Sequence, residues 1–490
     1  MNKNKLLILL ALLLFVASNI TAADFTVIDD KFNSYYYDLE LRGLVEPASL
    51  YGPLTYRQYQ SIPDSTRETS ISHYRELGLP FSGSEQMRLF GQVEAQLLKN
   101  KNKLSTVGEF HGGMLLGSGR WSSAAVYEGI SGDDLSSNYY GYQWRGVKAK
   151  TGQVYVRWSG DKSFFQIGKD QINCGLGLTL SGRDPYENIQ GGVTLGDHLK
   201  LYGFVGKLDG WLKDSVFVNR YLAGHRAEIS FPPFQLGFNE YVIYGGPGRN
   251  VELYYLIPLY LYQGEQINRQ FDDNVIWNAD FKIVKPPFRL SGEVTIDDFQ
   301  IERKTAGDQE PTEAGFGLQA DWAVISSPCF VTTSLSYRMI TGWTYNQSKD
   351  WNRFLFESQP IGSEEGNDFD RLSWKLTANS SAWIGSAEVF YKRKGQGSIE
   401  DPWTEPWAHD STWHETFPTG VVEKTLGCQI NLEWQTTVIK ILNQNRLMNV
   451  FGLWRYENSQ NYDNISGQNR SQWLAGLGLG FSFSQGIINF

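Results

Sequence analysis

The chain has 490 residues and a formal net charge of −9, a balance that gives no general attraction to polyanions and so excludes nucleic acid as a partner. Beyond its first residues it has no apolar run long enough for a helical membrane span, and its three widely spaced cysteines, Cys174, Cys329 and Cys428, support neither a disulfide framework nor a cysteine metal motif. Its 50 glycines, 26 tyrosines, 28 phenylalanines and 16 tryptophans instead suit the short turns and aromatic girdles of a β-barrel, in which only alternate residues meet lipid.

Taken in order, residues 1–23 read as a signal peptide. Lys3 and Lys5 precede the apolar run Leu6 to Val16, and small residues at 17–23 supply a cleavage site near Ala22 or Ala23. The apolar core is short for a membrane anchor. Loss of the two lysines takes the formal charge from −9 to −11. Residues 24–84 predict three short helices, forming a small helical periplasmic segment. The first begins near Asn33 and is stopped by Gly43 after Asp38-Leu39-Glu40-Leu41-Arg42; the second, Tyr56 to Ile62, is capped by Thr55 and halted by Pro63; the third covers Glu68 to Leu77. These helices either bind a partner or plug and brace the barrel mouth.

From Met87 the pattern changes to strands. About eighteen are predicted, near 86–98, 104–116, 121–129, 142–158, 163–169, 190–195, 198–206, 222–230, 235–244, 275–284, 288–298, 313–325, 328–340, 370–378, 383–394, 421–440, 447–456 and 472–490. The fold class is therefore all-β, an antiparallel transmembrane barrel over 85–490. Tyr221 to Tyr244 is its clearest hairpin, turning at Pro232-Pro233, which cannot continue a ladder. With Phe231 facing Phe234, the pairs His225/Glu240, Ala227/Phe238 and Ile229/Leu236 share a mostly apolar face. Arg226/Asn239, Glu228/Gly237 and Ser230/Gln235 share a polar one. Arg226, Glu228, Asn239 and Tyr241 are accordingly expected to be lumen-facing structural residues, with Arg226→Ala assembling normally. The His225/Glu240 pair, costly among apolar neighbours, is expected near a barrel mouth or at a bulge. In the last strand Trp473, Ala475, Leu477, Leu479, Phe481 and Phe483 form an apolar face, and bringing Phe490 into phase requires a bulge near Gln485-Gly486.

Short turns belong to one side of such a barrel and long loops to the other. Residues 159–162, 231–234, 285–287 and 326–328 are short; 207–221, 299–312, 341–369, 395–420 and 457–471 are long and placed outside. Treating 245–274 as one outside loop keeps both proline turns on the periplasmic side. Its aromatic segment Tyr254 to Tyr262 is expected to pack at or in the lumen.

Several stretches together carry a resemblance. DLELRGL, FFQIGKDQINCGLGLTLSGRDP, AGHRAEI with FNEYVIYG and ELYYLIPLYLYQ, RLSGEVTIDDFQ, and YRMITGWTYNQ with PIGSEEGNDFDRLSW are similar, in this order, to the Wzi-like capsule assembly family. The resemblance spans nearly the whole mature chain. It implies an eighteen-stranded outer-membrane barrel with a periplasmic helical bundle, acting as a lectin that holds capsular or other exopolysaccharide. The identity of the polymer stays open.

Sugar rings stack their C–H faces on aromatic rings while their hydroxyls need amides and carboxylates. Two outside loops combine both: 395–420 with Trp403, Trp407 and Trp413, and 341–369 with Trp343, Tyr345 and Trp351. Alternatively these aromatics pack the loops on each other. His409-Asp410 and His414-Glu415 make a poor metal motif, and Asp297-Asp298, adjacent on a strand, point to opposite faces and cannot share a substrate. No nucleophile elbow or phosphate loop stands in a suitable context. The expected function is non-enzymatic polysaccharide binding without a cofactor, with outer-membrane lipid and the barrel assembly machinery as further partners. The rival is a porin or export channel, and a third reading is a surface hydrolase.

Overall fold

The computed structural model describes residues 24–25, 30–55, 58, 62, 87–101, 103–132, 142–298, 310–326, 329–380, 382–410, 412–441 and 444–488. The signal-peptide reading, the helix at Glu68 to Leu77, most of the helix at Tyr56 to Ile62, and Phe490 lie outside the described residues.

Eighteen antiparallel strands, each paired with its neighbours in sequence, close into a barrel where the first, Met87–Asn100, meets the last, Arg470–Ile488. Every expected strand is present. Several are longer than the apolar pattern suggested: Gln444–Gln460 continues through polar residues at both ends, and Val216–Phe231 takes in residues 216–221, read as loop, because Val216–Val218 pair with Trp211–Lys213. The run 142–158 is instead broken at Arg145-Gly146, both with positive φ (47° and 81°), into Tyr142–Trp144 and Val147–Ser159. The closing bulge falls at Ile487, since Met87 pairs with Ile488 and Arg88 with Gly486.

The hairpin register is the expected one at every pair from His225/Glu240 to Phe231/Phe234. Phe234, Leu236 and Phe238 are exposed on the outer wall, as are Leu477 and Leu479 in the last strand, whereas Arg226, Glu228 and Asn239 are buried on the inner one. A one-residue slip would exchange these faces, so burial of the inner set fixes the register. Ala227→Arg would put a guanidinium on the apolar belt, and we expect it to weaken assembly by ~2–4 kcal/mol near the midplane, read as reduced heat-resistant folded protein on gels.

Turns and loops alternate between the two ends as the parity argument requires. The first helix, α1 (Asp30–Leu41), sits at the short-turn end and is closed by two backbone bonds, Gly43 N–H to Glu40 (2.9 Å) and Leu44 N–H to Leu39 (3.0 Å), with Gly43 at φ +71°. It does not stand off the barrel as a separate domain. Phe25, Tyr35 and Leu39 pack on the inner-wall residues Leu115, Ala124 and Tyr155, so this part of the N-terminal segment fills the barrel mouth. The acidic and basic residues of DLELRGL anchor it: Lys282 donates to Glu40 (2.9 Å), Arg42 to Asp38 and to the Ile325 carbonyl (2.9 Å), and Thr332 to Asp38.

The lumen is occupied by a segment different from the one expected. Residues 171–185 turn inward from the long-loop end, and Asn173–Cys174 pairs with Tyr51–Gly52 arriving from the short-turn end, with Leu180–Ser181 as third strand. Glu293 on the wall accepts the N–H groups of Leu176 (2.6 Å), Leu178 (3.1 Å) and Thr179 (3.3 Å). Gly175 (φ +61°) makes this approach possible, because a Cβ there would lie 2.7 Å from the Glu293 carboxylate.

The loop 245–274, by contrast, folds over the outside of the wall. Tyr255 and Tyr262 pack on Val205, Ala223, Val242 and Tyr244, which alternate with the lumen-facing Phe204, Leu222, Tyr241 and Ile243. The expectation that it enters the lumen is thus corrected, and so is the placement of His225/Glu240. That pair lies on the outer wall, in regular ladder, because the loop brings Tyr262 and Gln263 N–H groups to Glu240 at 2.7 and 2.9 Å.

Candidate functional site

The long-loop end carries the candidate site. Loops 341–368 and 395–422 form one roof, held by Asp368, whose carboxylate accepts the N–H groups of Gly397 (2.7 Å) and Thr419 (2.9 Å). Arg353 donates to the carbonyls of Glu400 (2.9 Å) and Asp401 (2.8 Å), and Asn346 to Asp401 (3.1 Å). The roof is tied to the wall by Arg220, whose guanidinium donates to the carbonyls of Trp351 (2.9 Å), Arg353 (2.6 Å) and Leu355 (2.9 Å).

Four tryptophans from the two loops meet in this roof. Trp407, in the short helix Pro406–His409, lies 5.0 Å from Trp343, 5.7 Å from Trp403 and 5.7 Å from Trp413 between ring centroids, mostly edge to face. Trp407 is the buried hub, while Trp343, Trp403 and Trp413 are half-buried and keep part of their rings accessible. The Trp403 indole donates to Glu405 (2.9 Å), placing an exposed carboxylate beside the cluster. Pairs of rings and adjacent acceptors are the surface that a sugar chain can stack on and hydrogen-bond to.

Two of the six expected contact residues are elsewhere. Tyr345 is fully buried, stacked on Phe354 with its hydroxyl donating to the Leu178 carbonyl (2.8 Å), so it holds the roof to the plug and cannot touch a polymer. Trp351 lies beneath Lys213 (5.3 Å to the ring) and beside Gly246, outside the cluster. Asp297, singled out with Asp298, accepts the Tyr345 N–H at 2.6 Å, and a register shift at that position interrupts strand alternation. Among the described residues no group of three or more His, Cys, Asp or Glu is arranged to hold a metal ion.

Glu415 lies half-buried within the roof against Gly342, and burial pushes its carboxyl up to about 7 from the usual 4.5. The folded roof therefore keeps a proton that the unfolded loop loses. Its contribution to roof stability is greatest at low pH, declines as pH rises from about 4.5 to about 7, and is flat above. Limited proteolysis of 395–420 is expected to accelerate over that window, and Glu415→Gln to remove the dependence; an unchanged profile in the variant would assign the titration to another group.

The inner wall holds a second set of polar residues, which lock the plug. Arg226 donates to Asp280 (2.9 Å), Glu228 (3.0 Å), Asn239 (3.1 Å) and the Cys174 sulfur (3.2 Å), and Ser49 donates to Glu228 (2.5 Å). Tyr241 is buried beside them. The three cysteines are free. Sequence alone placed Arg226, Glu228, Asn239 and Tyr241 on one face but missed their partner; the glycine spacing of INCGLGLTLSG was the available signal for a backbone lying against the wall. Beside the plug a polar cavity of about 920 Å³ remains, lined by Arg289, Arg338, Arg371, Lys375, Asp321 and Glu388 among others.

Comparison with known proteins identifies the fold. No family model matches the chain, and no curated protein matches it. The solved structure of Wzi, an outer-membrane protein involved in group 1 capsule assembly in Escherichia coli and a carbohydrate-binding β-barrel, superposes with a TM-score of 0.60 at 13% identity, over 94% of this chain and 98% of that one. The outer membrane protein OprD from Pseudomonas aeruginosa gives 0.44 at 11% identity, over 82% of this chain and 94% of that one.

Proposed function

We propose that this protein is a non-enzymatic outer-membrane barrel that binds capsular or other exopolysaccharide at the cell surface, with the long-loop end outward and the plugged short-turn end in the periplasm. The four-tryptophan roof is the observation that carries this reading: it offers stacking faces and carboxylates at the end that faces outward. The carbohydrate-binding Wzi barrel shares the fold, which supports the reading. The plug opposes free diffusion through the lumen, while the polar cavity of about 920 Å³ beside it favours a second reading, a narrow solute path. A glycan-binding screen on the purified full chain tests the first, with capture of at least one acidic or neutral polysaccharide expected. Steady large conductance in planar bilayers, with no glycan bound, would replace it by the second.

A further inference from the structure

The outside of the barrel carries an element that the proposed function does not use. Residues 248–273 run over the outer wall as a strap whose inner side is built and whose outer side is bare. Inside, Tyr255 and Tyr262 are buried edge to face at 4.9 Å, Tyr255 lies tilted against Tyr244 at 4.6 Å, and Pro258 lies against Gly203, where a Cβ would be 3.2 Å away. Arg249 and Asp273 close the two ends as an ion pair, with the Tyr255 hydroxyl donating to Asp273 at 2.7 Å. The helix α2 (Tyr262–Arg269) has no side-chain cap of its own at Leu261. Glu240 from the wall supplies it, accepting its first two N–H groups, the Trp277 indole N–H (3.2 Å), and the approach of His225 (3.3 Å).

Outside, the same segment exposes Leu253 (75%), Leu259 (77%), Leu261 (72%) and Ile267 (66%). Scattered exposed leucines need no explanation, but these belong to one segment whose depth is fixed where Glu240 holds it. Phe231 and Phe234 mark the short-turn rim of the apolar belt, and Glu240 is six residues above Phe234 on the same face. At roughly 3.3 Å per residue and a tilt of about 40°, that is about 15 Å above the rim, inside an apolar band ~25 Å tall. A bare carboxylate there would face hydrocarbon. The helix start lies at the same level because the Tyr262 and Gln263 N–H groups bind it, and Leu261 is the residue before them.

We infer that the strap 251–267 is immersed in the outer leaflet of the membrane, its leucines in contact with lipid acyl chains and Glu240 serving as its anchor beneath them. The patch is continuous with the apolar belt, which is why lipid is the occupant. The inference rests on the barrel crossing a membrane, and it stands or falls separately from polysaccharide binding.

The test is site-directed spin labelling of the full chain in phosphatidylcholine–phosphatidylglycerol vesicles, with Cys329→Ser and Cys428→Ser and the buried Cys174 retained. Labels at Leu259→Cys and Leu261→Cys are expected to relax strongly with oxygen and weakly with an aqueous nickel chelate, as at Leu477→Cys on the lipid belt and opposite to Asn250→Cys. Adding Glu240→Ala should raise the mobility of the Leu261 label without changing that of Leu477. A strap label that behaves like Asn250→Cys would place the segment in water and overturn the inference. So would shielding from both reagents together with disulfide-linked dimers, which would make a second copy the occupant.

Discussion

Arg226→Ala is expected to destabilise the barrel by roughly 3–5 kcal/mol, because it leaves the carboxylates of Asp280 and Glu228 buried without their shared cation. The residue is 2% exposed, and its fork touches the wall on three strands and the plug at Cys174. The same change should therefore loosen the plug and raise conductance in planar bilayers. Lysine keeps the charge but not the planar fork, so Arg226→Lys should fall between alanine and wild type. Gly237→Ala gives an independent route to the same site. The guanidinium lies over Gly237, where an added Cβ would come within 2.2 Å of it, so the methyl must displace the fork without removing its charge. Urea midpoints from heat-modifiable mobility and single-channel records read the two effects. Wild-type midpoints and conductance in Arg226→Ala and Gly237→Ala would mean that the plug is held by Glu293 and its three backbone donors instead.

That expectation reverses the one drawn from sequence, and the reason is instructive. Strand periodicity and the proline turn were enough to place Arg226 on the inner face in the correct register, because an alternating pattern of period two leaves one choice of faces. They could not show that a loop fifty residues earlier in the chain would lie against that face. A lumen position next to water tolerates alanine; one next to Cys174 and two carboxylates does not. The same limit explains the strap. LYYLIPLYLYQ is apolar enough to belong either to a lumen or to a lipid face, and nothing local distinguishes them. What decides is Glu240, an acidic residue at an outer-wall position that needs donors, and the strap's helix start that needs an acceptor. His225/Glu240 was recognised as costly, but the partner that satisfies it lies over twenty residues away.

The end of α1 and the strand count were legible because their signals are local: Gly43 after a helical run, and alternating apolar residues bounded by glycine and proline turns. The roof was half legible. The sequence marks 341–369 and 395–420 as aromatic and polar, yet aromatic residues are as well suited to holding loops together as to touching a ligand. Tyr345 does only the first, Trp403 and Trp413 keep exposed ring surface, and Trp407 is the buried hub of the cluster.

This division leads to the functional expectation with the largest effect. Trp407→Ala should abolish most polysaccharide retention although Trp407 itself is only 8% exposed, because Trp343, Trp403 and Trp413 all pack on its ring. Truncating a buried tryptophan costs about 3–5 kcal/mol locally, enough to unbuild the roof's stacking surface. Trp403→Ala should cost less, since a single stacked aromatic is worth ~0.5–1.5 kcal/mol beyond its area, or roughly a twofold to tenfold loss of affinity. Trp351→Ala, outside the cluster, should retain polymer as wild type does. The barrel ladder contains none of these residues, so heat-modifiable mobility should be unchanged in all three. The measurement is polysaccharide retained by cells expressing each variant, and the ordering is the test. Equal retention in Trp407→Ala and wild type would remove the roof as the binding surface, whereas loss in Trp351→Ala alone would move the site to Trp351 and the Lys213 side chain over it.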